Sequence, residues 1–262
     1  MRISEFLLVV ILFSPLLAKA DPATRTVPLL VREQIEDGKV KGLSCFKKRL
    51  LSYFEQEMNI HFAIQSLPFR RAEQLTAQGG GLLWGMPAIP PENDRAGMYL
   101  FSDPVYSTYA WMVVRKDFKP RIKQVSDLQG LKLSTFYGVT YSSEFERQRG
   151  KLFEVEEEPD SETARLQKLL LGRVDISLMH SRYPSADTVK STSIKSLPEL
   201  QALEILPHPI EEMQIRFALG RKAMQMGKSW SHNLLAELNL AIERGHKTGA
   251  IQKIVSNTHP CH

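Results

Sequence analysis

The sequence predicts a mixed α/β protein divided into two lobes, and three observations carry that reading. Apolar, β-branched runs alternate with amphipathic stretches in the order strand, helix, strand, helix, the pattern of a parallel sheet flanked by helices. A chain of 262 residues, 43% apolar and 24% charged, can bury a large core and is long enough to divide it in two. Between the halves, the polar, proline-marked turn Phe101-Ser102-Asp103-Pro104-Val105-Tyr106 feeds the apolar run Ala110-Trp111-Met112-Val113-Val114, which stops on Arg115-Lys116-Asp117. That is a loop entering a buried strand, and it looks like a crossover.

The first twenty residues differ from the rest. Arg2 precedes an apolar run from Phe6 to Leu17, broken at Pro15, and Ala18-Lys19-Ala20 places small residues where a signal peptidase cuts. The run is too short to cross a bilayer comfortably, so a cleaved signal peptide over 1–20 and a periplasmic protein are expected. No cysteine stands at the cut to carry a lipid, and no later stretch could span. Removing Arg2, Lys19 and Glu5 from 34 basic and 29 acidic residues leaves a net charge of +4. The basic residues are scattered and no nucleic-acid motif appears. A pI near 9.1 therefore suits an anionic ligand or an anionic cell surface rather than nucleic acid.

Cys45 and Cys261 are the only cysteines. In an oxidising compartment an isolated pair is expected to form one disulfide, closing nearly the whole mature chain. The tail His259-Pro260-Cys261-His262 lacks the paired spacing of zinc motifs, so no metal is expected there. No cofactor is expected either.

In chain order, Val27-Pro28-Leu29-Leu30-Val31-Arg32 reads as a first strand and Glu36-Asp37-Gly38-Lys39 as the turn after it. Ser44 caps a helix whose Phe46, Leu50, Leu51, Phe54 and Met58 fall at helical spacing. A strand over Ile60 to Ile64 and a helix containing Phe69 to Leu75 follow. Gln78-Gly79-Gly80-Gly81 lacks the Gly-Lys-Ser/Thr of a phosphate cradle and is expected to be a tight turn into the strand Leu82-Leu83-Trp84-Gly85. The proline-stiffened stretch from Met86 to Arg95 sits at a strand's end, where α/β ligand sites form.

Beyond the crossover, Val125 to Leu133 is a capped turn leading to a strand. Phe136-Tyr137-Gly138-Val139-Thr140-Tyr141-Ser142-Ser143-Glu144 is a glycine-hinged loop opening a helix, whose free N–H groups favour anions. Ser142 or Ser143 also suits the cap, and the two roles are compatible. A helix from Ser161 ends at Gly172 before the strand Val174 to Met179, with His180 at its C-terminal end. Strands at Leu203 to Leu206 and Met213 to Leu219 follow, the second able to carry the chain back. A long helix from Ser231 to Lys247 and a short one from Thr248 to Ile254 finish the chain.

Taken as an ordered set, Arg95, Phe101 to Tyr106, Ala110 to Val114, Asp127-Leu128-Gln129-Gly130-Leu131-Lys132, Gly138-Val139-Thr140, Gly172-Arg173-Val174-Asp175-Ile176 and Gly245-His246-Lys247-Thr248-Gly249-Ala250-Ile251 resemble the motifs of family 3 extracellular solute-binding proteins. The resemblance spans essentially the mature chain. It implies the two-lobed type II periplasmic-binding-protein fold, with lobe I over 25–105 and 215–262, lobe II over 109–210, and two crossover strands. Each lobe is then a mixed, mainly parallel sheet flanked by helices. It also implies hinge-like closure around a small polar solute for ABC-type uptake or sensing, a membrane permease or sensor as partner, and a monomer with no catalytic role. Cys45 and Cys261 then share a lobe.

In amino-acid-binding members an arginine such as Arg95 grips the ligand carboxylate, aided by an upstream hydroxyl. Here Pro87 and Ala88 stand near that hydroxyl's place. His180 falls near the acid that usually meets the ligand ammonium, and Arg32-Glu33-Gln34 replaces the usual aromatic pair. These departures disfavour a standard α-amino acid. With Thr140 from the glycine–threonine loop, Arg71, Trp84, Tyr106, Tyr137 and Tyr141 are expected to line an aromatic or anion-accepting cleft. Two alternatives stay open: a dehydratase-like enzyme using His180, Glu33 and Arg95, and a cleft that serves only as an interaction or sensory module.

Overall fold

The computed structural model describes residues 24–258 apart from 37–38, 88, 90–92, 94, 159–161 and 195–200. The expected signal peptide, the tail 259–262 with Cys261, Ser161 and parts of the 86–95 and 36–39 loops lie outside the described residues.

The first body is built on β1 (Arg25–Arg32), whose alternation sends Val27, Leu29 and Val31 to one apolar layer and Leu30 to the other. The short hairpin β2 (Gln34–Glu36) and β3 (Lys39–Lys41) leads to α1 (Cys45–Met58), which buries Leu50, Leu51 and Phe54. Ser44 stands at its N-cap position but makes no side-chain cap bond, and Asn59 closes it in the left-handed region at φ 49°. β4 (Ile60–Leu67) runs parallel to β1 over its full length, and α2 (Phe69–Ala77) leads to β5 (Leu82–Pro87), parallel to β1 on its other side. Between them Gly79 has φ 84°, and a Cβ there would lie 2.9 Å from Ala223 N. The glycine run is thus a tight turn.

β6 (Tyr99–Phe101) precedes β7 (Tyr106–Arg115), which enters the second body. There β8 (Lys132–Phe136), α3 (Ser143–Gln148), β9 (Glu154–Glu158), α4 (Glu162–Leu170), β10 (Ile176–Ser181), α5 (Ala186–Val189) and β11 (Leu203–Ile205) succeed one another. β12 (Glu211–Gly220) returns the chain, and α6 (Arg221–Gln225), α7 (Leu234–Lys247) and α8 (Ala250–Ser256) pack on the first body. Among the described residues the main sheet runs β4-β1-β5-β12-β7-β10-β8-β9, with β6 on β12 and β11 on β7.

The continuity of that sheet rests on β12. Residues Glu211 to Ile215 pair antiparallel with Ala110 to Tyr106, and Ile215 to Leu219 pair with Pro87 to Leu82, with a register shift between Arg216 and Phe217. The Phe101 to Tyr106 turn is stitched to the same strand. Ser102 N donates to Phe217 O at 3.0 Å, Phe217 N donates to Ser102 Oγ at 3.0 Å, and Val105 N donates to Ile215 O at 2.8 Å. Ser102 is therefore buried and satisfied, a structural splice between β6 and β7.

Each body has apolar layers on both faces of its part of the sheet. In the first, Phe54, Trp84 and Phe217 meet at ring distances of 5.2 Å (Phe54–Phe217) and 4.6 Å (Trp84–Phe217). In the second, β7 sends Ala110, Met112 and Val114 to one layer and Trp111 and Val113 to the other. Each fully buried valine, methionine or phenylalanine among them contributes about 1.5–3 kcal/mol of transfer free energy.

Beside the crossing strands, Arg182, which follows β10, donates Nε to Val255 O and Nη2 to Asn257 O, both at 2.9 Å. It also stacks over Phe46 and Tyr183. A cavity of about 260 Å³ lies here, with Tyr106, Tyr109, Arg182, His246 and Val255 in its wall.

Two elements differ from the sequence reading. Glu154 to Glu158 forms an edge strand that the charge-rich sequence does not suggest, held by Lys132, Lys168 and Arg149 against its glutamates. β10 starts and ends two residues later than the expected Val174 to Met179, with His180 at its C-terminal end as expected and paired with Ala110.

Candidate functional site: a cationic cleft between the two bodies

The 136–141 segment faces the first body at close range. Gly138 has φ 80°, and a Cβ there would sit 3.3 Å from Phe69 Cδ1 and 3.5 Å from Arg70 Cγ, so glycine suits both the turn and the close approach. Gly138 N donates to Glu157 Oε2 at 3.0 Å, which fixes the loop from behind. Around it, contacts cross from one body to the other. Arg95 Nη2 donates to Thr140 Oγ1 at 2.8 Å, Arg70 lies 4.7 Å from the Tyr137 ring, and Arg32 lies 4.2 Å from the Phe136 ring.

Arg95 is engaged by the chain itself. Its Nη1 donates to Glu73 Oε1 at 2.6 Å and its Nε to Asn93 Oδ1 at 3.4 Å. Glu73, on α2, is 4% exposed. Burial pushes its carboxyl up, and the nearby Arg95 and Arg70 charges pull it back down. Arg95 therefore bridges an internal carboxylate and the facing loop.

Deeper in the cleft, Phe136 lies under two guanidiniums, Arg32 at 4.2 Å and Arg165 at 3.5 Å from its ring centre. Arg165, on α4, is 0% exposed. Its Nη1 donates to Leu178 O at 2.6 Å, while Nε and Nη2 are buried with no hydrogen-bond partner among the described residues. Burial lowers its pKa, opposed by Glu162. Burial together with the Arg165 charge lowers Arg32 to about 10, and burial together with Arg32 lowers Lys47, on α1, to about 8. Burying an ion costs several kcal/mol. One charged hydrogen bond returns about 1.5–3 kcal/mol and a cation–π contact about 0.5–2 kcal/mol, so the Arg165 balance is left short.

His180 closes this wall. Burial, with Arg165 and Arg32 nearby, lowers its imidazole to about 3, so the ring is neutral at physiological pH. Its Nε2 lies 3.2 Å from the Tyr141 hydroxyl, which also bonds Thr135 Oγ1. Tyr141 is buried, and its phenol is pushed up by that burial. The Ser142 hydroxyl accepts from Phe145 N and caps α3, the role expected of Ser142 or Ser143, and it also bonds Glu211.

The structure places Arg95, Tyr137, Thr140, Tyr141 and His180 along the facing segments where the two bodies meet. Trp84 and Tyr106 stand apart in the first core, Trp84 2% exposed and 6.0 Å from the Tyr106 ring. Burial pushes the Tyr106 phenol up. Arg71 is exposed on α2. Sequence reasoning missed Arg165, Lys47, Phe136 and Glu73. The signal for Arg165 was available, an arginine on the apolar face of a helix beside Leu166 and Leu169. Glu33, at the end of β1, donates its backbone N–H to Leu67 O at 2.9 Å. Among the described residues no group of three His, Cys, Asp or Glu side chains is placed to hold a metal, and no helix is long and apolar enough to cross a membrane.

No protein-family model matches the chain, and no curated protein matches it. Solved structures do. An ancestral arginine-binding protein bound to arginine is 22% identical, with 87% of this chain and 96% of that one aligned at a TM-score of 0.64. A GluR0 ligand-binding core complexed with L-glutamate is 13% identical over 90% of this chain and 99% of that one, at a TM-score of 0.67. A putative L-cystine ABC transporter protein from Listeria monocytogenes is 16% identical over 88% and 94%, at 0.62. At these identities the likeness is one of fold.

Proposed function

From the two-lobed type II fold shared with substrate-binding proteins of amino-acid ABC transporters and GluR0 ligand-binding cores, we propose that this chain is a solute-binding protein. It closes around a small polar solute, with anionic groups favoured, and presents it to a membrane permease or sensor. The observation that carries this reading is the cleft: Arg95, Arg70 and Arg32 reach across it to Thr140, Tyr137 and Phe136, while Lys47 and Arg165 add positive charge at its base. In this reading lobe I comprises 25–105 and 215–262 and lobe II 109–210, with β7 and β12 as the hinge. The protein is exported through residues 1–20 and carries a Cys45–Cys261 disulfide.

Thermal-shift screening followed by calorimetry, against amino acids, organic acids, amines and peptides, tests the proposal. At least one anionic compound is expected to raise the melting temperature by several degrees with 1:1 stoichiometry. No stabilisation by any compound overturns it. One observation favours a second reading, an interaction module whose facing walls are held by the chain's own groups: Arg95 is already engaged by Glu73, Asn93 and Thr140. The same screen separates the two.

A further inference from the structure

Arg165, where the two bodies meet, presents a hydrogen-bonding edge that has no partner among the described residues. Arg165 spends Nη1 on Leu178 O, which leaves Nε and Nη2, the two nitrogens whose N–H bonds run parallel along one side of the guanidinium. That edge matches the two oxygens of a carboxylate in a fork-to-fork arrangement. The side chain is wholly buried and stacked on Phe136, so the edge is held in one orientation before any solute arrives.

The charges around that edge bear on the rest of the solute. Lys47 makes no hydrogen bond or ion pair among the described residues, and it lies close enough to Arg32 to feel its charge. The neighbouring acids are mostly committed: Glu73 to Arg95, Glu157 to Arg149 and Glu158 to Lys168. Glu162, one turn before Arg165 on α4, is the remaining acid beside the cluster, and it faces the Arg165 charge. His180, in the facing strand, is neutral and offers an ammonium group no countercharge. With Glu162 set against Arg165, the cations Arg32, Lys47 and Arg165 outnumber that acid, and the cluster favours negative charge over positive.

We infer that the Nε–Nη2 edge of Arg165 seats one carboxylate of a small dicarboxylate lacking an ammonium group, with the second carboxylate facing Lys47 and Arg32. This inference rests on the solute-binding reading and narrows it. Arg95 then acts on closure, through Thr140, rather than on the solute.

The test compares malonate, succinate and glutarate with butyrate, aspartate, glutamine and inorganic phosphate, by calorimetry on the exported, signal-cleaved protein. One of the dicarboxylates is expected to bind at least tenfold more tightly than butyrate, which lacks the second carboxylate, and than aspartate, which adds an ammonium. Arg165→Lys keeps the charge and loses the fork, and is expected to weaken that dicarboxylate at least tenfold. Lys47→Gln, at a half-buried position, provides a second variant in case Arg165→Lys does not fold, and is expected to weaken dicarboxylates more than butyrate. Equal or tighter binding of aspartate, binding of phosphate without any dicarboxylate, or unchanged dicarboxylate affinity in both variants overturns the inference and leaves solute binding standing. No binding by any compound of the wider screen overturns the solute-binding reading itself.

Discussion

Arg95 and Glu73 form a 2.6 Å ion pair inside the first body, and the same guanidinium reaches Thr140 on the opposite wall. A residue expected to hold a ligand carboxylate thus holds one of the protein's own.

Removing that arginine leaves a buried carboxylate alone. Arg95→Met is expected to destabilise the protein by about 2 kcal/mol, less than the roughly 3–5 kcal/mol of a fully buried pair because Arg95 is partly exposed. Adding Glu73→Gln should recover much of the loss. Urea unfolding midpoints of the two single variants and the double variant measure the coupling. Additive losses would show that the pair is not energetically joined.

The neutral His180 makes stability depend on pH. Its folded pKa of about 3 lies below the ordinary 6.5, so the unfolded chain binds the extra proton and stability falls as pH drops below 6.5, down to about 3. At about pH 4 the expected loss from this group is about 3 kcal/mol. His180→Gln should flatten the stability profile between these limits. A variant profile parallel to the wild type would place the pH dependence elsewhere.

Gly138 and Gly150 make a controlled comparison. Both have positive φ, 80° and 73°, but a Cβ at Gly138 would press on Phe69 while one at Gly150 meets nothing within 4 Å. Each Gly→Ala change is expected to cost about 1 kcal/mol of backbone strain. Only Gly138→Ala should also weaken solute binding severalfold, because only there does the methyl hold the two walls apart. Equal affinity in both variants would remove the loop from the closing contact.

The expected disulfide can be settled by thiol chemistry. Alkylation of the unfolded, unreduced exported protein should label neither Cys45 nor Cys261, and Cys45→Ser should lower stability by about 5 kcal/mol, as in the chain-entropy estimate for so long a loop. Quantitative labelling of both thiols would remove the crosslink.

The fold was legible because its signals are local and repeated. Alternation in β1 and β7 and helical spacing in α1 and α7 each identify an element from a few adjacent residues, and the Ser102 turn marks the boundary between bodies. The cleft was only half legible. Gly138, Thr140, Tyr141 and His180 sit at motif positions, so they could be named in advance. The burial of Arg165 could be read from the apolar face of its helix, but that it comes near Arg32, beside which Lys47 also lies, depends on packing between segments over a hundred residues apart, which no local pattern encodes. Trp84 shows the opposite problem. Its place at the end of a strand fits a cleft as well as a core, and burial against Phe217 is a tertiary fact.

The Arg182 contacts set the mechanical leverage of the molecule. Arg182 shares a cavity wall with the start of β7, so its bonds to Val255 O and Asn257 O lie next to the axis about which the bodies would rotate. Displacement grows with distance from a fulcrum. A rotation wide enough to part Arg95 from Thr140 at the rim would stretch the Arg182 bonds only slightly, and the register slip at Arg216 and Phe217 gives the sheet a place to flex. If the bodies turn as in the proposed hinge, the travel would be borne by contacts such as Arg95–Thr140, while the Arg182 bonds beside β7 and β12 would stay engaged.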